Sequence, residues 1–217
     1  MKRSPVLFLS SISIILLVFV TIVSAKEVES ISLPIPQTQS GKPLMQALQE
    51  RKSSRAFSNK KLSLQVISDM LWAACGINRQ GSGLKTAPSA MNMQEIDIYV
   101  SMAEGLYIYD AEANKLTLVI ANDIRAVTGK QGFVATAPIN LIYVANLAKM
   151  SKLSAQDAQF YAATDTGFIS ENVYLYCASE GLATVVRGFM DVPLLSAAMQ
   201  LKSDQKIILS QTVGYPA

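Results

Sequence analysis

The 217-residue sequence contains no histidine. That excludes His-based catalytic triads, histidine general bases and His–metal sites together. Cysteine is nearly as scarce: Cys75 and Cys177 are the only two, too few for a thiolate cluster. Each lies in an apolar helical context and reads as a buried free thiol; export, argued below, would also permit one disulfide. Charged residues make up only 16% of the chain, with no long basic run or arginine-rich tail, which argues against a nucleic-acid partner. No internal repeat is visible. Trp72 is the sole tryptophan, and its helical setting suits core or interface rather than a binding site.

What is abundant is apolar sequence, concentrated at the amino end. Lys2 and Arg3 precede the apolar run Val6–Val23, which closes on Val23-Ser24-Ala25 before Lys26. A charged start, an apolar middle and a small-residue exit predict a secretory signal peptide over residues 1–25, and hence a periplasmic or other extracytoplasmic product. Ser10, Ser11, Ser13 and Thr21 dilute the run below a typical membrane span of ~20 residues, so an uncleaved anchor is the alternative. Lys2-Arg3 is not a twin-arginine signal; export would be unfolded and any cofactor acquired afterwards. Without residues 1–25 the net charge falls from +3 to +1.

Residues 26–40, with Pro34 and Pro36, read as a polar extended leader, and 41–217 as one domain. A helix is expected over Lys42–Arg51, with Pro43 in its first turn. Ser63 should cap a second helix with an apolar stripe of Ile67, Met70, Leu71 and Ala74, stopped by Gly76. Asn78–Ser89 is a loop. Ile96, Ile98 and Val100 alternate with polar neighbours and predict a strand over Glu95–Ser101. Leu106–Tyr109 and Lys115–Ile120 extend it into an antiparallel meander. Asn122–Thr136 reads as helical with a break near Gly129–Gly132. Pro138–Leu147 is almost continuously apolar, as a strand covered on both faces would be. A long helix runs from Ser154 to Glu180 and ends at Gly181; with no consistently polar side, it belongs in a core or a subunit interface. A strand over Ala183–Arg187, a helix over Val192–Leu201 and a strand over Ile207–Val213 complete an α+β domain.

The densest chemistry lies in Arg51-Lys52-Ser53-Ser54-Arg55-Ala56-Phe57. Leu44, Ala47, Leu48 and Arg51 fall at i, i+3, i+4 and i+7, so Arg51 continues an apolar face. An inward guanidinium needs an anionic or planar polar partner, and the neighbouring hydroxyls and cations suit a phosphate or an electron-rich ring. Alternatively the run is a solvated basic helix end complementing its own dipole.

R-K-S-S-R-A-F, then P-S-A-M-N-M-Q leading into a strand, then G-L-Y-I-Y-D, resemble the nitroreductase-like flavin enzymes. The Gly-Leu-Tyr hairpin and the terminal V-G-Y-P are similar to the branch containing the peptide thiazoline/oxazoline oxidases. The order of motifs agrees over nearly all of Gln37–Ala217. The resemblance implies a homodimer with FMN held at the subunit interface. It assigns Arg51, Lys52, Ser53 and Arg55 to the FMN phosphate, ribityl chain and pyrimidine ring. It assigns Pro88, Ser89, Ala90 and Asn92 to a segment reaching the flavin from the partner subunit, and Arg187 and Gly188 to a junction whose backbone lies near flavin N5. A cation near the pyrimidine would stabilise negative charge on reduced flavin, and glycine permits close backbone approach to a planar ring. Each residue also has an ordinary reading: Pro88-Ser89 as a turn, Asn92 as a local cap, Gly188 as a strand end, Arg187 as a partner of Asp191. Relatives commonly continue past the last strand with Lys or Arg on the phosphate, whereas this sequence reads V-G-Y-P-A there.

The resemblance implies an exported FMN-dependent oxidoreductase moving two electrons through N5, to or from a small planar or peptide substrate. Chemistry at N5 is the cofactor's own, so the missing histidine does not obstruct it. The alternative is a non-catalytic exported flavin-binding or scaffold protein of the same fold.

Overall fold

A computed structural model describes residues 29–217; the expected signal segment lies outside the described residues. The elements run β1 (Ser30–Ser32), α1 (Leu44–Glu50), α2 (Leu64–Cys75), β2 (Ile77–Arg79), β3 (Leu84–Lys85), β4 (Ile96–Met102), β5 (Gly105–Asp110) and β6 (Lys115–Ile120). Then follow β7 (Ile139–Asn146), α3 (Ala155–Glu180), β8 (Ala183–Arg187), α4 (Val192–Ala198) and β9 (Gln205–Gly214). Seven strands form one sheet in the order β1-β6-β5-β4-β7-β9-β8, and every neighbouring pair in it is antiparallel. With helices on both faces this is the expected α+β fold. No described helix is long and apolar enough to cross a membrane.

β7 explains the arrangement. Its run from Ile139 to Ala145 is entirely buried because both faces are covered. Leu141, Tyr143 and Ala145 join Met70 and Leu71 of α2 and Val173 of α3 in one core. Ile142 and Val144 join Leu195 and Met199, at and just beyond α4, in a second. Each buried Leu or Ile contributes about 1.5–3 kcal/mol. Ser63 caps α2 by accepting Val66 N–H, and Ser154 caps α3 through Asp157 N–H, as the capping pattern predicts. Gly181 ends α3 in the left-handed region at φ 69°, a conformation glycine adopts without strain.

Several expectations need correction. α1 ends at Glu50, and Arg51 is extended at its cap. Of the apolar face only Ala47 is buried, where α1 lies against α3; Leu44 and Leu48 are 62% and 46% exposed, so most of that face is uncovered among the described residues. Gly76 does stop α2, but at φ −75°. It is glycine because a Cβ there would lie 2.4 Å from Trp72 Cδ1. The Asn78–Ser89 loop holds the small hairpin β2–β3. The leader is not all unpaired, since Ser30–Ser32 joins the sheet edge against Lys115–Thr117. Asn122–Thr136 forms no α-helix but two 3-10 turns, Arg125–Val127 and Gly132–Ala135. Asp123 pins the first by accepting Arg125 N–H and binding its guanidinium. Gly129 then passes so close to the Arg187 guanidinium that a Cβ would stand 1.9 Å from Nη1. Cys75 and Cys177 are buried free thiols.

Candidate functional site

β8 is the last strand of the sheet, so every second peptide group on it faces away from β9 and needs another partner. The basic heptapeptide supplies one of them and α3 another. Ser54 N–H donates to Thr184 O at 2.9 Å. Val186 N–H donates to the Tyr174 hydroxyl of α3 at 2.9 Å, and that hydroxyl hydrogen-bonds Ser53 Oγ, also at 2.9 Å. Arg51 stacks its guanidinium 5.2 Å above the Tyr174 ring. At the far end Phe57 bridges to Pro216 and packs on Phe133 with centroids 5.2 Å apart. The segment is therefore clamped along the sheet edge, with Lys52, Ser53 and Arg55 outward and Arg51 half-buried. None of Arg51, Lys52 and Arg55 forms an ion pair among the described residues. A cleft of about 410 Å³ opens behind it, lined by Lys52, Ser54, Thr184 and Pro216 among others.

Gly188 is the first residue beyond β8. Gly188 is exposed, and its N–H meets no acceptor among the described residues. A Cβ at Gly188 would make only ordinary contact, 3.7 Å from Leu209. The fold itself does not require glycine here; a flat ligand held against the backbone would.

Arg187, just before it, is 5% exposed and does not pair with Asp191, which instead caps α4 through Leu194 N–H. Its guanidinium donates to Thr212 Oγ1 (3.1 Å), Thr128 O (2.9 Å), Gln131 Oε1 (3.4 Å) and Asn140 Oδ1 (3.0 Å). All four acceptors are neutral. Burial pushes the guanidinium down to about 10, which leaves it cationic at neutral pH. Arg187 thus ties the end of β8 to the turns at 125–135, whose Lys130 N–H donates to Phe189 O.

The other predicted segment stands apart. Pro88-Ser89 leads into a 3-10 turn, Ala90–Asn92, with Met91 and Asn92 at φ 50° and 55° and Gln94 at 48°. Ser89 Oγ accepts Gln94 N–H, and Asn92 Oδ1 accepts from the Gln94 amide. Ala90 N–H donates to Asp165 on α3 at 2.8 Å. Asp165 and Tyr174 lie nine residues apart on that helix, about 13 Å along its axis. The heptapeptide, Arg187 and Gly188 therefore gather at one edge of the chain, and Pro88–Asn92 lies elsewhere on it. A larger cleft of about 650 Å³ beside β2–β3 touches none of these residues.

Sequence reasoning missed Tyr174, hidden in an apolar helical run, and Asp165, whose charge inside that run was the available signal.

Residues 48–215 match the model of the nitroreductase family. The chain belongs to that family. A nitroreductase-family protein of Ralstonia eutropha is 44% identical; the match covers 87% of this chain and 90% of that one, at a TM-score of 0.83. A nitroreductase-family protein from Desulfovibrio desulfuricans, solved in complex with FMN, is 18% identical, with 82% and 88% covered and a TM-score of 0.60. A chain of the Escherichia coli microcin synthetase complex McbBCD, solved with truncated pro-MccB17, is 19% identical, with 77% and 70% covered and a TM-score of 0.70. The last two are similar in fold. In this chain of the nitroreductase family the cations without ion pairs, the open Gly188 N–H and the room above Gly188 fit a flat, phosphorylated cofactor.

Proposed function

We propose that this chain is an exported FMN-dependent oxidoreductase that works as a homodimer. The observation that carries the reading is exposed Gly188 at the end of β8, its N–H unpaired among the described residues, beside a clamped segment presenting Lys52, Ser53 and Arg55, where neither cation makes an ion pair among the described residues. Bound there, FMN would supply two-electron transfer through N5, to or from a small planar or peptide substrate.

The chain's own part is binding and electrostatics. Arg51, Lys52, Ser53 and Arg55 offer charge-assisted donors to phosphate, ribityl and pyrimidine oxygens. Gly188 N–H offers a backbone donor with nothing above it. Arg187 holds that junction still from beneath and adds a buried positive charge, which favours negative charge developing nearby. No histidine is needed for any of these roles.

The dimer reading rests on α3. Phe160 and Phe168 are 64% and 45% exposed. Ala163 and Gly167 lie exposed between them, with nothing within 4 Å of a Cβ built at Gly167. Leu44, Met45 and Leu48 of α1 and Met91 add further exposed apolar surface, more than scattered single side chains. A twofold partner over this surface would bring its Pro88, Ser89, Ala90 and Asn92 to the opposite site, which one chain alone does not do. Export rests on residues 1–25.

The test is turnover. FMN-loaded protein, reduced anaerobically, is expected to be reoxidised by a nitroaromatic, a quinone or oxygen in a ping-pong pattern. FMN-loaded protein inert to every donor and acceptor would leave the flavin-binding scaffold reading in its place.

A further inference from the structure

Glu95 follows the Pro88–Gln94 turn, one residue before β4. It is 0% exposed, and neither carboxyl oxygen meets a hydrogen-bond donor. Asp165 of α3 faces it, 2% exposed, with Oδ2 accepting Ala90 N–H at 2.8 Å. The gap they line with Pro88 and Ser89 is a cavity of about 10 Å³, room for no more than one water. Two ionised carboxylates enclosed this way would repel each other in a low-dielectric site with too few donors. One arrangement satisfies both: Glu95 protonated, its O–H donated to Asp165, and Asp165 left to accept Ala90 N–H.

We infer that Glu95 and Asp165 share a single proton and act as positioning residues, holding the Pro88–Gln94 turn in its bound shape through the Asp165–Ala90 hydrogen bond. The turn needs holding: Met91, Asn92 and Gln94 are all non-glycine residues at φ near +50°, a conformation L side chains resist. The inference rests on the proposed reading in which this turn contacts FMN in the dimer. The pair is thus a pH-sensitive support for the cofactor site.

The other charged or titratable groups around the pair are Cys75 on α2, Lys85 on β3, Asp97 on β4 and Lys149 beyond β7. Lys149 is occupied, donating to Gln94 O at 2.9 Å and lying 3.5 Å from Asp97. Burial, with the Asp165 charge adding and Lys149 opposing, lifts Glu95 from 4.5 to about 7. An acid raised in the folded state contributes stability that is complete below its unfolded value. That contribution is lost as pH rises through about 7.

The experiment compares the wild-type protein with Glu95→Gln, which mimics the protonated acid, and with Asp165→Asn. Infrared spectra near neutral pH are expected to show a carboxylic-acid C=O band that Glu95→Gln abolishes, whether or not flavin is present. FMN affinity of the wild type is expected to fall up to about tenfold per pH unit above about pH 7, while Glu95→Gln stays flat. Asp165→Asn, freed of the like charge, should move the fall to lower pH. No acid band in the wild type, or the same pH slope in Glu95→Gln, would overturn the shared proton. Wild type that binds no FMN at any pH but keeps the band would sink the cofactor reading and leave the pair standing.

Discussion

The Tyr174 hydroxyl stands between the heptapeptide and the sheet, 2.9 Å from Ser53 Oγ and 2.9 Å from Val186 N. One side chain of α3 thereby fixes the register of the basic segment against the β8 edge, and Arg51 rests on the same ring. Tyr174→Phe keeps the ring but strips both bonds. An unfolding titration is expected to show a loss of about 1–3 kcal/mol, and flavin titration a weaker FMN affinity.

Arg51 and Arg55 should act together on the cofactor. Each removed charge-assisted bond costs about 1.5–3 kcal/mol, so Arg51→Ala with Arg55→Ala is expected to bind FMN more weakly than either single variant. Equal occupancy in the double variant, measured by flavin absorbance per chain, would remove the heptapeptide from the site.

Two glycines separate fold from function. Gly129→Ala places a Cβ 1.9 Å from Arg187 Nη1, which must displace a buried guanidinium and its four acceptors; thermal denaturation should show a clear loss of stability. Gly188→Ala meets only Leu209 at 3.7 Å and should melt within a degree or two of wild type, since such surface changes stay near ±0.5 kcal/mol. If FMN binds as proposed, its flavin affinity should nevertheless fall, because the methyl group would occupy space the ring needs.

Phe168→Asp tests the helix face. Phe168 is 45% exposed on the chain alone, so a charge there costs the monomer little and a subunit interface a great deal. Size-exclusion chromatography with light scattering is expected to give a dimer for wild type and a monomer for the variant, with FMN lost together with the dimer.

The sheet was legible because its signals are local. The alternation of β4 and the unbroken apolar run of β7 follow directly from which faces are covered, and the Ser63 and Ser154 caps set two helix starts. The 122–136 stretch misled because its conformation is decided from a distance, by Arg187 of β8 demanding space at Gly129. Ser30–Ser32 misled because one isoleucine between two serines is too short to show a period until an edge strand is present to pair with it. At the candidate site, Arg51, Lys52, Ser53 and Arg55 stood out because charge and hydroxyl cluster in sequence, and their cofactor role is what the family resemblance implies. Tyr174 and Asp165 were not, because a tyrosine or an acid on a buried helix acquires meaning only from what the fold brings against it.

The most direct measurement is the absorption spectrum of residues 26–217, purified natively and again after incubation with FMN and desalting. The account predicts paired flavin bands at close to one FMN per chain, lost in the Arg51→Ala/Arg55→Ala variant. A folded dimer that retains no flavin would contradict it.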